Sequence, residues 1–278
     1  MEQQLLIVFA MTMIIHAAET LSYSIRLAGV RLNKIAVALS LTGIIVLVSR
    51  TANLVQAPLT AKFVDFARDH VSFDLLHYLR VILLASSVGT LIAIVLFPSF
   101  VGLFAIIIRR LEVTGSIPKL ISSVTLGQLR NTKRYLRAPR LRISQYRYLG
   151  ISKKFILLNM VVTSFYTVGV LASLYAAHLL PQFSTTASQA SGIINGIATI
   201  LLTVFIDPQL GLITDKALTD SQRREQLGKI YVLMMTTRFF GTMLAQLVLV
   251  PAAYFIGMVV KWIWGCRSPN YRRNRRMD

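Results

Sequence analysis

The chain has 278 residues, of which 55% are hydrophobic and 15% charged, with a mean hydropathy of +0.62. A soluble domain carries about 25% charged residues, so this composition excludes an ordinary soluble protein. The net charge of +19 does not indicate nucleic acid as a partner, because the basic residues sit between apolar blocks, where membrane topology places them, and no RNA- or DNA-binding motif is present. The single cysteine, Cys266, excludes an internal disulfide. No metal-ligand spacing occurs, and no cofactor is expected.

The apolar blocks are long enough to cross about 30 Å of hydrocarbon. They predict spans from Leu5 to Gly29, Ile35 to Ala57, Val81 to Ile108, Phe155 to Leu180, Ala190 to Ile213 and Ile230 to Val260. Residues 1–4 contain no Lys or Arg, so the first block reads as a retained helix, not a cleaved signal peptide. The fold expected is an all-α integral membrane protein of about six transmembrane helices. It divides into a first three-helix half (1–108), a basic cytoplasmic loop (109–154), a second three-helix half (155–264) and a basic tail (265–278).

The first helix carries Thr12, His16, Glu19, Tyr23 and Arg26 at spacings of four and three, which is one helical face. The second places Thr42, Ser49, Asn53 and Gln56 on a face, with Arg50 on its flank. Asn159, Thr163 and Tyr166 repeat the pattern in the fourth helix, Asn195, Thr199, Thr203 and Asp207 in the fifth, and Arg238, Thr242 and Gln246 in the sixth. Hydroxyls and amides alone are ordinary interhelical glue, at about 0.6 kcal/mol each. Ionisable groups are different, because a charge at mid-membrane costs about 2.5–3.5 kcal/mol and must face a partner or water. Glu19, Arg50 and Asp207 lie well inside their spans. Glu19 has two candidate partners, Arg26 on its own face or Arg50. Asp207, just before Pro208, has the alternative task of holding a backbone group freed by the proline. Arg26 and Arg238 lie nearer the cytoplasmic ends, where they can snorkel.

Between the second and third spans, His70, Asp74 and His77 would share a face if that loop were helical. This is the one arrangement that points to an enzyme acting on lipid phosphates. Basic residues between spans favour the cytoplasm, which places the N-terminus outside. The tail after Lys261 then lies outside, against the rule, unless the sixth segment is re-entrant and broken at Pro251. Trp262 and Trp264 fit an interfacial anchor. From Arg109 to Lys154 the only acidic residue is Glu112. That segment either lies along anionic lipids of the cytoplasmic leaflet, at about 1 kcal/mol per basic residue, or is a solvated topogenic loop.

The halves are weakly alike. Pro58, Ala61, Asp65 and Ala67 match Pro208, Gly211, Asp215 and Ala217 at identical spacings, and Gly89-Thr90 with Pro98 parallels Gly241-Thr242 with Pro251. Two repeats of three spans each must be inverted with respect to one another, a frequent transporter design. Polar faces on most helices suggest a hydrophilic groove in the bundle, as a transporter, a membrane-embedded enzyme or a channel requires.

The run His16 to Arg31 (HAAETLSYSIRLAGVR), followed by Ala36 to Leu41 (AVALSL), Ser49-Arg50, Asn53 and Pro58, resembles the opening of the bacterial Amj family, the alternate lipid II flippases. The resemblance implies a non-enzymatic membrane transporter in the bacterial cytoplasmic membrane. Such proteins move lipid II, an undecaprenyl-pyrophosphate-linked peptidoglycan precursor, from the inner to the outer leaflet, alongside the cell-wall synthesis machinery. In that setting Arg50 is the first candidate to grip the pyrophosphate bidentately. Arg26 and Arg238 are candidates at the cytoplasmic opening, and Glu19, Asn53 and Asp207 complete the candidate substrate-binding set.

Overall fold

The computed structural model describes residues 1–116, 119 and 150–267. Most of the basic loop and all of the tail beyond residue 267 lie outside the described residues. The chain is helical: α1 (Glu2–Arg31), α2 (Ile35–Asp69), α3 (Leu75–Thr114) and α4 (Lys153–Leu179) come first. A fifth, segmented span then comprises a 3-10 turn (Pro181–Phe183), α5 (Ser184–Gln189), α6 (Ser191–Leu201), a π-helical turn (Leu202–Ile206) and α7 (Asp207–Thr219). The last helix is α8 (Ser221–Arg267). Among the described residues, six helical segments are long and apolar enough to cross a membrane. The helices overrun the expected spans, because their polar ends remain helical beyond the hydrocarbon-length core.

Local chemistry sets the turns. Asn33 takes a positive φ of 57°, a conformation its short polar side chain tolerates, and so turns α2 back along α1. Asp74 caps α3 by accepting a hydrogen bond from the His77 amide at 3.1 Å. Gly115, at φ 70°, closes the other end of α3 in a left-handed cap. Ser152 caps α4 by accepting from the Phe155 amide at 3.2 Å. Pro58, Pro98 and Pro251 are all carried inside continuous helices. Pro251 therefore does not break the sixth segment, and the re-entrant alternative is corrected: α8 runs through from Ser221 to Arg267.

Pro208 acts differently. It lacks an N–H for the carbonyl one turn back, and the ladder before it slips, so that the Asp207 amide bonds to the Leu202 carbonyl, five residues earlier. The fifth span thereby carries a π turn at mid-length, a feature common at functional sites.

The core consists of α1 packed on α3 and α4 packed on α8, with α3 and α8 joining the two pairs. Glycines permit both tight contacts. A Cβ on Gly89 would run into the backbone of Met13, and one on Gly241 would meet the Met160 carbonyl and the Thr163 side chain. Across the joint, the Ser87 hydroxyl donates to Thr242 Oγ1 at 3.0 Å, fully buried. The other two spans are peripheral. In α2 and the fifth span, 22% and 17% of the most apolar window is buried, against 39 to 50% in the other four. The two have no packed interface with each other. Arg68 of α2 does hydrogen-bond Ser184 at one tip.

One end of the bundle gathers Arg31, Lys34, Lys153, Lys216, Arg223 and Arg224, and is called the basic end below. There Lys34 pairs with Glu112 at 2.5 Å, tying the α1–α2 turn to the end of α3. At the opposite end Trp262 and Trp264 are exposed, and Trp264 rests against Phe183 with ring centroids 5.4 Å apart.

Candidate functional site

Because α2 and the fifth span stand apart, the space between them is walled on its remaining sides by α1, α4 and α8. Two adjoining chambers fill it. The one nearer the basic end holds about 360 Å³ and receives Arg26, Arg50, Arg238, Glu19, Asp207 and Tyr166. The one farther from it holds about 200 Å³ and is lined by neutral polar groups, among them Thr12, His16, Asn53, Gln56 and Asn195. Glu19, Val46, Arg50 and Tyr166 belong to both chambers and form the partition between them. All six residues singled out from the sequence thus line one or other of these two adjoining chambers.

At the partition, Glu19 accepts an ion pair from Arg238 through Oε2 and a hydrogen bond from the Ser49 hydroxyl at 2.9 Å through Oε1. Both charged side chains are 16% exposed, so the pair is largely withdrawn from solvent. This corrects the expected pairing of Glu19: its partner is neither Arg26 nor Arg50 but a residue 219 positions away. Arg238 does not snorkel to a helix end, because the α1–α8 crossing presents it to Glu19. Spacing along one helix carries no information about such a contact.

Arg26 and Arg50 form no ion pair among the described residues, and Arg26 Nε is buried without a hydrogen-bond partner. Arg50 is exposed on the flank of α2 and borders both chambers. Asp207 is exposed and its side chain makes no hydrogen bond among the described residues, so it does not serve the backbone around Pro208. It lines the larger chamber together with Arg26. The π turn shifts the face of the fifth span, so that Leu202, Ile206 and Asp207 line the chamber and Thr203 does not. A sequence pattern drawn with α-helical spacing misses that shift.

Some stripe residues serve packing instead. Asn159 donates to Thr237 Oγ1 at 2.6 Å and to the Met234 carbonyl at 3.3 Å, binding α4 to α8. Thr242 is held by Ser87, and Gln246 donates to the Arg80 carbonyl at 3.0 Å. Tyr166 was visible in the α4 stripe but not singled out as a site residue. The residue is 41% exposed and sits at the partition beside Glu19 and Arg50.

The phosphate-enzyme arrangement dissolves. His70 ends α2, where its ring stacks on Phe66 with centroids 3.8 Å apart, and Asp74 begins α3 as its cap. The three residues do not share a helix face. Among the described residues no cluster of three or more His, Cys, Asp or Glu could hold a metal.

A protein-family model described as "Amj: Alternate to MurJ" matches residues 11–260. The protein named "Lipid II flippase Amj" of Bacillus subtilis (strain 168) is 40% identical to this chain over 262 residues, covering 93% of this chain and 97% of that protein. No solved structure matches.

Proposed function

This chain belongs to the Amj family, and from that membership and the geometry of the groove we propose that it is a lipid II flippase, a transporter and not a catalyst. It would move the undecaprenyl-pyrophosphate-linked peptidoglycan precursor from the inner to the outer leaflet of the bacterial cytoplasmic membrane. The observation that carries this reading is the convergence of Arg26, Arg50 and Arg238 in one groove whose two lipid-facing walls, α2 and the fifth span, do not pack together.

The physical task fits that shape. Dragging a charged, hydrated headgroup through bare hydrocarbon costs tens of kcal/mol. A groove of guanidinium, hydroxyl and amide groups replaces the lost water. A lateral seam lets the polyprenyl tail stay in lipid while the head crosses. The walls present apolar side chains outward, including Leu47 and Leu54 on α2 and Ile200 and Val204 on the fifth span. Arg50 is the primary pyrophosphate contact: it has no ion-pair partner among the described residues, it borders both chambers, and its fork suits bidentate binding. Arg26 meets the substrate on the basic side. Arg238 acts at the partition, Glu19 holds it there, and Asn53 and Asp207 line the route.

The basic end faces the cytoplasm in this reading, with the N-terminus outside, in keeping with the distribution of Lys and Arg. Anionic lipids of the inner leaflet and the cell-wall synthesis machinery are the partners expected on either side. The two halves act as inverted repeats. Support comes from Gly89 and Gly241, matching positions in the two halves, each of which admits the first helix of its own half to close contact.

The test is translocation of labelled lipid II in proteoliposomes. Arg50→Ala should cut the rate by about tenfold or more, the scale of a lost charge-assisted contact, without altering thermal stability. An unchanged rate removes Arg50 from the mechanism.

A further inference from the structure

The two chambers differ in chemistry as well as in size. The larger one contains three guanidinium groups and two carboxylates. In the smaller one, charge is confined to Glu19 and Arg50 at the shared partition, and the remaining polar lining is hydroxyl, amide and imidazole. Two of these groups are unfinished. His16 is 6% exposed and its Nδ1 has no hydrogen-bond partner among the described residues. The Asn195 amide oxygen is buried and equally unpartnered, lying over Gly169, where any side chain would collide with it.

Orphaned buried polar atoms cost about as much as the hydrogen bond they lack. A dry structural contact would have paired them, as Asn159 and Thr237 are paired. Neighbouring groups are free to help: Asn53 is exposed toward the chamber, and Gln56, which donates to Thr12 Oγ1 at 2.9 Å, keeps its amide oxygen available. Neutral donors and acceptors at fixed positions discriminate between ligands chiefly by hydrogen bonding, because an unmatched ligand leaves them unpaired.

Resting on the flippase reading, we propose that this smaller chamber is a subsite for the uncharged, hydroxyl- and amide-bearing carbohydrate part of the headgroup. It is distinct from the cationic chamber that takes the phosphates. The sugar then lies beyond the partition while the pyrophosphate remains with Arg26, Arg50 and Arg238. The head enters sugar first, and the phosphates, nearest the tail, follow.

The experiment measures the affinity of the purified full-length protein in detergent for two lipids: lipid II, and undecaprenyl pyrophosphate lacking sugar. The wild type should prefer lipid II by about tenfold, the value of one or two well-placed hydrogen bonds in a desolvated site. Asn53→Ala, on the exposed face of α2, and the conservative His16→Gln should each reduce that preference to about threefold, leaving affinity for the bare pyrophosphate lipid unchanged. Arg50→Gln should weaken both lipids in parallel and keep the preference. Equal loss for both lipids in Asn53→Ala, or an undiminished preference in both chamber variants, overturns the subsite alone. Wild-type protein that binds neither lipid overturns the flippase reading and the subsite with it.

Discussion

The α1/α3/α4/α8 core and the groove beside it are made from the same kinds of polar residue, put to opposite uses. In the core, Ser87 meets Thr242 and Asn159 meets Thr237, each donor finding an acceptor on the facing helix. In the groove, Arg26, Arg50 and Asn195 carry polar groups with no protein partner among the described residues, and His16, which lines the smaller chamber, keeps a buried unmatched nitrogen. A polar stripe in a membrane helix is therefore not a functional signal by itself. What separates the two uses is whether a second helix comes close enough to complete the hydrogen bond. Glycine brings α3 onto α1 and α8 onto α4, while no such approach joins α2 to the fifth span.

The contrast can be broken most severely at the glycines. Gly89→Val pushes a branched side chain into the Met13 backbone and should cost more than about 3 kcal/mol, beyond ordinary overpacking. The readout is a large fall in melting temperature or failure to accumulate. Alanine at Gly196, on the open fifth span with no atom within 4 Å of its Cβ position, should leave stability unchanged or slightly raised. Equal tolerance at both positions would contradict the division into closed core and open wall.

The partition comes next. Glu19→Gln leaves Arg238 inside the bundle without its counter-ion and should destabilise by about 2–3 kcal/mol, somewhat less than a fully buried pair because both side chains remain 16% exposed. Combining it with Arg238→Gln should recover part of the loss. A double variant as unstable as the sum of the singles would mean that the two residues act independently. The smallest effect is expected at Asn159→Ala, about 1 kcal/mol of stability with the flipping rate per folded molecule preserved. If that rate fell as it does for Arg50→Ala, Asn159 would belong to the groove and not to the packing.

The six spans were readable because runs of apolar residues report membrane thickness directly, and lengths are what hydrocarbon imposes. The convergence of the polar faces was also legible: Glu19, Arg26, Arg50, Asn53, Asp207 and Arg238 were each marked by charge or by position on a stripe, and all line one or other of the adjoining chambers. Pairing was not. The Glu19 and Arg238 contact depends on how α8 crosses α1, which no local spacing encodes. The π turn before Pro208 was hidden for a related reason, since the proline announces a lost hydrogen bond but not how the ladder rearranges around it. The shared face of His70, Asp74 and His77 was conditional on a continuous helix, and the chain turns between His70 and Asp74.

The central claim is that the headgroup crosses between α2 and the fifth span. It is tested by joining those walls. In a background with Cys266 replaced, Val46→Cys on α2 and Leu202→Cys on the fifth span, both lining the larger chamber, would be linked by a reductively cleavable thiol crosslinker, and lipid II translocation would be followed in proteoliposomes. Translocation should stop on linking and resume on cleavage. Undiminished translocation with the link intact would show that the headgroup takes another path.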